Sequence, residues 1–262
     1  MTRSLPIVLL AGAALALMAA TSGYKGYLER PADITAVVPD APQKGDVRYE
    51  ADRKVFRATR AMLNTPRGRL ASADVPSSVV DVMKDFSCAA GVRLSPETTP
   101  ATWRLLANAN ADTARANNLA KDHWKRLRPF LIDRGPVCDS KEELAKSYDY
   151  PSGHATRGWT FGLILSEVEP DRATPVQVRA RSYGESRIVC GAHNMSAIDA
   201  GRLGATVTME SIRQTPAYES DLEAARAELR AARANPALAP DAAGCATEAG
   251  LIAKSVLVGI KP

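Results

Sequence analysis

The chain has 262 residues, 45% of them apolar and 24% charged, an ordinary globular composition that suits one large domain or at most two small ones. Aromatic residues are few at 5%, while Ala and Leu abound, which favours packed helices over strands. The formal charge of +5 comes from basic residues spread among acids rather than gathered in a patch with stacking aromatics. That argues against a nucleic-acid binder and leans toward small anionic substrates.

In chain order, Met1-Thr2-Arg3 gives a short positive start, Leu5 to Ala20 is almost wholly apolar, and Thr21-Ser22-Gly23 is small and polar. This reads as a secretory signal peptide over residues 1–22, cleaved after Ala20 or Ser22. The run is a little short for a membrane anchor. No Cys follows it to take a lipid, and no later stretch could span a bilayer. The expectation is a periplasmic protein that is free of the membrane after cleavage.

Residues 23–48 are rich in Pro, Asp and Gly and read as an extended N-terminal arm. Helical periodicity then predicts helices over residues 51–64 and 79–86, with Val55, Phe56, Met62 and Leu63 on one face of the first. A long helix is expected from Ala101 to Leu127, ended by Pro129. After a loop over 129–152, helices are expected from Gly153 to Pro170 and from Thr174 to Val189. Cys190-Gly191 breaks the second of these, and another helix should begin near His193. Residues 217–234 form a charged amphipathic helix. The predicted architecture is a single all-α domain over residues 49–235, followed by a C-terminal tail over 236–262.

An exported chain can carry disulfides. Its four cysteines, Cys88, Cys138, Cys190 and Cys245, fit two bridges in three connectivities. The preferred pairing is Cys138–Cys190 with Cys88–Cys245, because the first would tie together two segments assigned below to one site. No Cys or His spacing suggests a metal.

Three segments carry chemistry. In Lys121-Asp-His-Trp-Lys-Arg-Leu-Arg128-Pro129, Lys121 and Arg128 stand two helical turns apart and so share a face suited to a multiply charged anion. Lys125 competes for the same role, and a solvated basic helix end would look alike. In Tyr150-Pro151-Ser152-Gly153-His154, a Ser-Gly pair at a helix start offers N–H groups and a hydroxyl to an anion, with His154 in the first turn. In Glu185-Ser186-Arg187-Ile-Val-Cys190-Gly191-Ala-His193, an Arg near the end of one helix and a His at the start of the next can converge across the turn.

Taken together and in this order, Lys-x6-Arg-Pro, Pro-Ser-Gly-His and Ser-Arg-x5-His resemble the signature of the phosphatidic-acid phosphatase and vanadium haloperoxidase superfamily. The flanking Lys121-Asp122-His123, Arg128-Pro129-Phe130 and Ser186-Arg187-Ile188-Val189-Cys190-Gly191 are similar to class A bacterial non-specific acid phosphatases. The likeness runs from about Arg48 to Asn235. It implies a helical bundle that hydrolyses phosphate monoesters with no cofactor. His193 would be the nucleophile and His154 the acid for the leaving alcohol. Lys121, Arg128, Ser152, the N–H of Gly153 and Arg187 would hold the phosphate. Inorganic phosphate would be product and ligand, and the resemblance suggests a homo-oligomer. His123 has no implied role.

One position departs from the pattern. The family continues His-x3-Asp, whose carboxylate fixes the nucleophile's ring, and here that place is Ala197. The nearby acid, Asp199, is the candidate replacement orienter, yet six residues advance a regular helix by about 600°, off the His193 face. Ser196 and Glu185 are other candidates. If none serves, the chain would be a weakened or inactive phosphate-binding member of the family. A vanadate-dependent haloperoxidase is a further alternative with the same anion cage.

Overall fold

The computed structural model describes residues 24–260, so the segment read as a signal peptide lies outside the described residues. The described residues contain α-helices and short 3-10 turns, and no strand among them. Three of the helices form the centre of the domain. The long α5 (Pro100–Trp124), α7 (Gly153–Val168) and α9 (Met195–Ile212) pack on one another, and α8 (Ala173–Cys190) lies along α7. The amphipathic α10 (Pro216–Arg233) covers α5. Of the earlier helices, α1 (Val47–Thr59) leans on α9 and α2 (Pro66–Ala73) on α8. The short α3 (Val79–Asp85), α4 (Ser87–Ala90) and α6 (Lys141–Leu144) lie in the connections, and α11 (Ala242–Ile252) closes the chain.

The principal core lies between these helices. Phe86, Leu105, Leu106, Phe161, Ile164, Leu165, Tyr183 and Met209 are all fully buried there. Helices α7 and α8 run antiparallel and unusually close. A Cβ added at Gly158 would come within 2.5 Å of the Tyr183 ring, so a larger residue there would push the pair apart. Because the two are antiparallel, the start of α7 and the end of α8 meet at one end of the bundle. That end also receives the last turn of α5 and the first turn of α9.

Two expectations about local structure are corrected. The helix expected to reach Leu127 stops at Trp124, because Lys125 takes a left-handed conformation with φ 48°. Arg126 to Arg128 leave the axis as extended chain, so Lys121 and Arg128 converge through this turn and not through helical spacing. Helix α9 starts at Met195, leaving His193 in the preceding turn and Asn194 as the N-cap. Helices α2 and α11 had local signals that periodicity alone passes over. Thr65 accepts from the Gly68 N–H ahead of Pro66 at the first helical position, and Asp241 caps α11.

The N-terminal arm packs against the bundle. Ile34 and Val38 are buried beside Ala116, Tyr150 and Ala200. The Tyr150 hydroxyl donates to Pro39 O at 2.6 Å and the Trp124 indole to Asp40 at 3.0 Å. The structure pairs Cys88 with Cys245 and Cys138 with Cys190. The first pins α11 to α4, and the second holds the loop after Arg128 to the end of α8.

A buried ion pair fixes α8 lengthwise. Asp74, at the end of α2, takes Arg179 at 2.6 and 3.2 Å and the Ser186 hydroxyl at 2.5 Å. Removing one partner of such a pair strands the other charge in the interior, typically at a cost of about 3–5 kcal/mol. For Asp74→Ala we expect about 3 kcal/mol, the lower end, because Asp85 and Glu248 remain near Arg179 at 3.9 and 3.6 Å. Urea unfolding of the variant against wild type measures this.

Candidate active site

The site is built at the meeting of four helix ends. Ser152 is the N-cap of α7, its hydroxyl accepting from the Ala155 N–H at 3.3 Å. The first-turn N–H groups of Gly153 and His154 have no carbonyl one turn back to donate to, and both residues line the pocket. A Cβ at Gly153 would meet nothing nearer than Asn117 Nδ2 at 3.7 Å. Packing therefore does not demand glycine there, and the space it leaves opens on the pocket. Thr156 donates to Asn117 at 2.8 Å and so sets α7 against α5, which brings Lys121 over the start of α7.

Lys121 and Arg128 line this space with Arg157, and Arg187 lies close behind, its charge felt by Arg128 and both histidines. Lys121 is buried, and its ammonium donates to Tyr148 O. Burial, then the neighbouring Arg128, pushes its pKa down to about 7. Arg128 donates from Nε to Ser147 O at 2.8 Å and from Nη1 to Ala192 O at 2.9 Å. Burial lowers its pKa to about 10, which leaves it charged at any working pH. Arg187 is 0% exposed. Its Nη2 donates to Asp139 at 2.7 Å, and its Nε and Nη1 are buried without any partner. Unpartnered guanidinium N–H groups in an interior are costly, and an anion in the pocket would satisfy them. Lys125 is exposed, so of the two competing lysines only Lys121 enters the site. His123 is also exposed, its ring against Trp124.

Two imidazoles complete the pocket. His154 donates from Nε2 to Val75 O at 3.0 Å and stacks on Tyr183, which leaves Nδ1 as its working nitrogen. Its pKa lies well below the usual value, through burial and then Arg187. His193 is nearly fully buried. Gly191, at φ 82°, ends α8 and turns the chain so that His193 faces Arg128. Its Nε2 lies 3.0 Å from Arg128 Nη1. Burial first, then Arg128, Lys121 and Arg187, hold its ring neutral, with the pKa well below the usual value.

The chain is similar to a known family of proteins. The PAP2 superfamily pattern matches residues 101–219, a span holding every one of these side chains. The acid phosphatase of Zymomonas mobilis is 36% identical over 79% of this chain and 79% of its own length. The non-specific acid phosphatase of Salmonella typhimurium is 34% identical over 73% of this chain and 78% of its own. That of Providencia stuartii is 31% identical over 75% and 80%. This chain belongs to the PAP2-superfamily acid phosphatases.

As an acid phosphatase, the chain differs from its family pattern in what stands behind His193. Asp199, the candidate orienter, is not there. It is 59% exposed and pairs with Arg202 at 3.4 Å, since even a helix starting at Met195 turns it away from His193. Glu185 accepts from Ser255 at 2.7 Å, and Ser196 binds Asp52 and Arg126. The group that meets His193 Nδ1 is Asp149, at 3.0 Å. Sequence reasoning missed it. Its signal was an acid two residues ahead of Pro151, in a loop whose path no periodicity gives. Ser186 also proves to be a structural residue, bound to Asp74 and Arg67.

Proposed function

We propose that this chain hydrolyses small phosphate monoesters in the periplasm through a phosphohistidine on His193 Nε2, with no metal ion. The observation that carries the reading is one pocket lined by Lys121, Arg128 and both histidines, with Arg187 wholly buried behind it, two of its N–H groups unpartnered and its charge felt by both imidazoles. Phosphoryl transfer asks mainly for positioning and charge stabilisation, and three cations plus the α7 N-terminus supply the charge that a metal supplies elsewhere.

In the first step the Nε2 lone pair of His193 attacks phosphorus and the bond from phosphorus to the ester oxygen breaks. The departing oxygen keeps that electron pair and takes a proton from Nδ1 of His154. In the second step His154 takes a proton from water, the hydroxide oxygen bonds to phosphorus, and the P–N bond returns its electrons to Nε2. The phosphate oxygens would rest on Lys121, Arg128, Arg187, the Ser152 region and the Gly153 N–H. Periplasmic placement rests on the apolar Leu5–Ala20 run and on the two disulfides, which suit an oxidising compartment.

The test is rapid-quench reaction with labelled phosphate monoester in excess chelator. An alkali-stable, acid-labile phosphoprotein that turns over supports the reading. Binding of phosphate or vanadate with no phosphoprotein and no hydrolysis would leave the alternative, a family member that binds without turnover.

The charge states predict the pH dependence. Lys121 is protonated below about 7, so affinity for phosphate should weaken as pH rises through that value, by up to about tenfold per unit. Lys121→Arg keeps the charge and should flatten this dependence. His154 must be protonated to act as acid, and its low pKa places the fall of kcat/KM on the acid side of neutrality. A bound phosphate dianion raises that pKa, so the kcat profile should lie at higher pH than that of kcat/KM. Steady-state kinetics across pH reads both.

A further inference from the structure

We propose that Asp149 is the positioning residue for His193, supplying from the loop before α7 the carboxylate that the family pattern takes from α9. The inference rests on the phosphohistidine reading above. It starts from a gap, since the residue four after the nucleophile is Ala197. That side chain is 0% exposed and packs with Ala116, Ala120, Tyr150 and Ala200. Its carbonyl accepts from the Ser152 N–H at 2.9 Å, so the first turn of α9 is locked against the start of α7 with no acid on it.

Asp149 fills the function from a different segment of the chain. It is 0% exposed, and its own N–H donates to Arg126 O at 2.9 Å. One carboxylate oxygen takes His193 Nδ1 at 3.0 Å and the Asn194 N–H at 3.1 Å. The other takes the Asn194 side-chain amide at 2.7 Å and lies 3.5 Å from Arg126 Nη1. Arg126 is held in turn by Asp52 at 2.7 Å, and Asp52 also accepts from the Ser196 N–H at 2.9 Å. Every neighbour of Asp149 is a donor and two of the donors belong to the N-cap residue of α9, so both carboxylate oxygens act as acceptors and the group is held in one orientation.

This arrangement settles the tautomer. The oxygen that meets Nδ1 already accepts from the Asn194 N–H, so it acts as an acceptor and Nδ1 carries the proton. Arg128 can only donate, so Nε2 presents its lone pair. Both partners demand the same state, with the nucleophilic nitrogen facing the cations that hold the phosphate. As Nε2 bonds to phosphorus the ring becomes cationic, and Asp149 lies against the positive edge. Asp199, Glu185 and Asp52 are engaged elsewhere, so within the described residues Asp149 alone provides this carboxylate.

The decisive variant is Asp149→Asn. Whichever way the amide turns, its NH2 faces a donor. Replacing the carboxylate partner of a catalytic histidine by its amide cost about 10⁴-fold in a serine protease triad. For a histidine that is itself the nucleophile we expect a loss of about 100-fold or more in the rate of phosphoenzyme formation. Measurements belong at about pH 5, below the Lys121 value of about 7, so that the altered charge near Lys121 does not confuse the result. Phosphate affinity should stay within about tenfold of wild type, a split between binding and chemistry that a merely structural role would not give. Asp199→Asn should leave the rate within about twofold, as expected for an exposed surface acid.

A folded Asp149→Asn protein that forms phosphohistidine within about threefold of the wild-type rate would overturn the proposal. If that variant does not fold, the ¹⁵N shifts of His193 in the wild-type protein decide. A proton on Nδ1 supports the assignment, and a proton on Nε2 overturns it. The nitrogen measurement needs no turnover, so it separates failure of this inference from failure of the phosphohistidine reading, which shows as wild-type protein without phosphoprotein.

Discussion

Replacing His193 with alanine is expected to lower kcat by about 10⁴-fold or more, while phosphate and vanadate still bind. Enzymes that lose a nucleophile retain only what binding and charge stabilisation provide. Here that remainder is considerable, because Lys121, Arg128, Arg187 and the start of α7 do not depend on the His193 ring for their positions. Arg128 keeps Ser147 O and Ala192 O, and Asp149 keeps Asn194 and Arg126. The variant should therefore fold and show no labelled phosphoprotein after rapid quench. Retention of a phosphoprotein would mean that another residue is the acceptor. Loss of phosphate binding together with activity would mean that the His193 side chain also holds the cage together.

Replacing His154 with alanine is expected to act differently on different substrates. General acid assistance contributes typically about 10²–10⁴-fold, and it matters most where the leaving oxygen is strongly basic. An alkyl phosphate should lose activity within that range, while p-nitrophenyl phosphate, whose phenolate departs unaided, should form the phosphoenzyme with a loss of about tenfold or less. In the proposed mechanism His154 also takes the proton from water in the second step, so the phosphoenzyme should accumulate with the aryl substrate and decay slowly. Pre-steady-state bursts with the two substrates measure this. Equal losses on both would assign His154 a binding role and place the leaving-group proton elsewhere. Its hydrogen bond to Val75 O fixes the ring, so Nδ1 must carry the proton in either step.

Much of the site was legible in the sequence because its chemistry is written locally. Ser152-Gly153-His154 at a helix start and Arg187 before the Cys190-Gly191 break are short-range statements about capping and turns, and the structure brings the first to the pocket and the second close to both histidines. Lys121 and Arg128 also meet there, although by another route. Helical spacing put them on one face, whereas the left-handed Lys125 ends the helix between them. A lone non-glycine residue at positive φ leaves no periodic trace, and the sequence rule reached the right pair for the wrong reason.

The sequence by itself determined the all-α class, the principal helices and the segments that carry the pocket's Lys121, Arg128, His154 and His193, since amphipathic spacing, caps and residue chemistry act within a few positions of each other. The tertiary structure alone decided what stands behind His193. One or two helical turns beyond His193 along the chain the nearest acid is Asp199, which faces Arg202. The carboxylate in contact lies 44 positions earlier, carried there by the close packing of α7 on α8 and the docking of the 129–152 loop. A hydrogen bond between distant segments depends on where the backbone passes through space, and no local pattern in the chain records that.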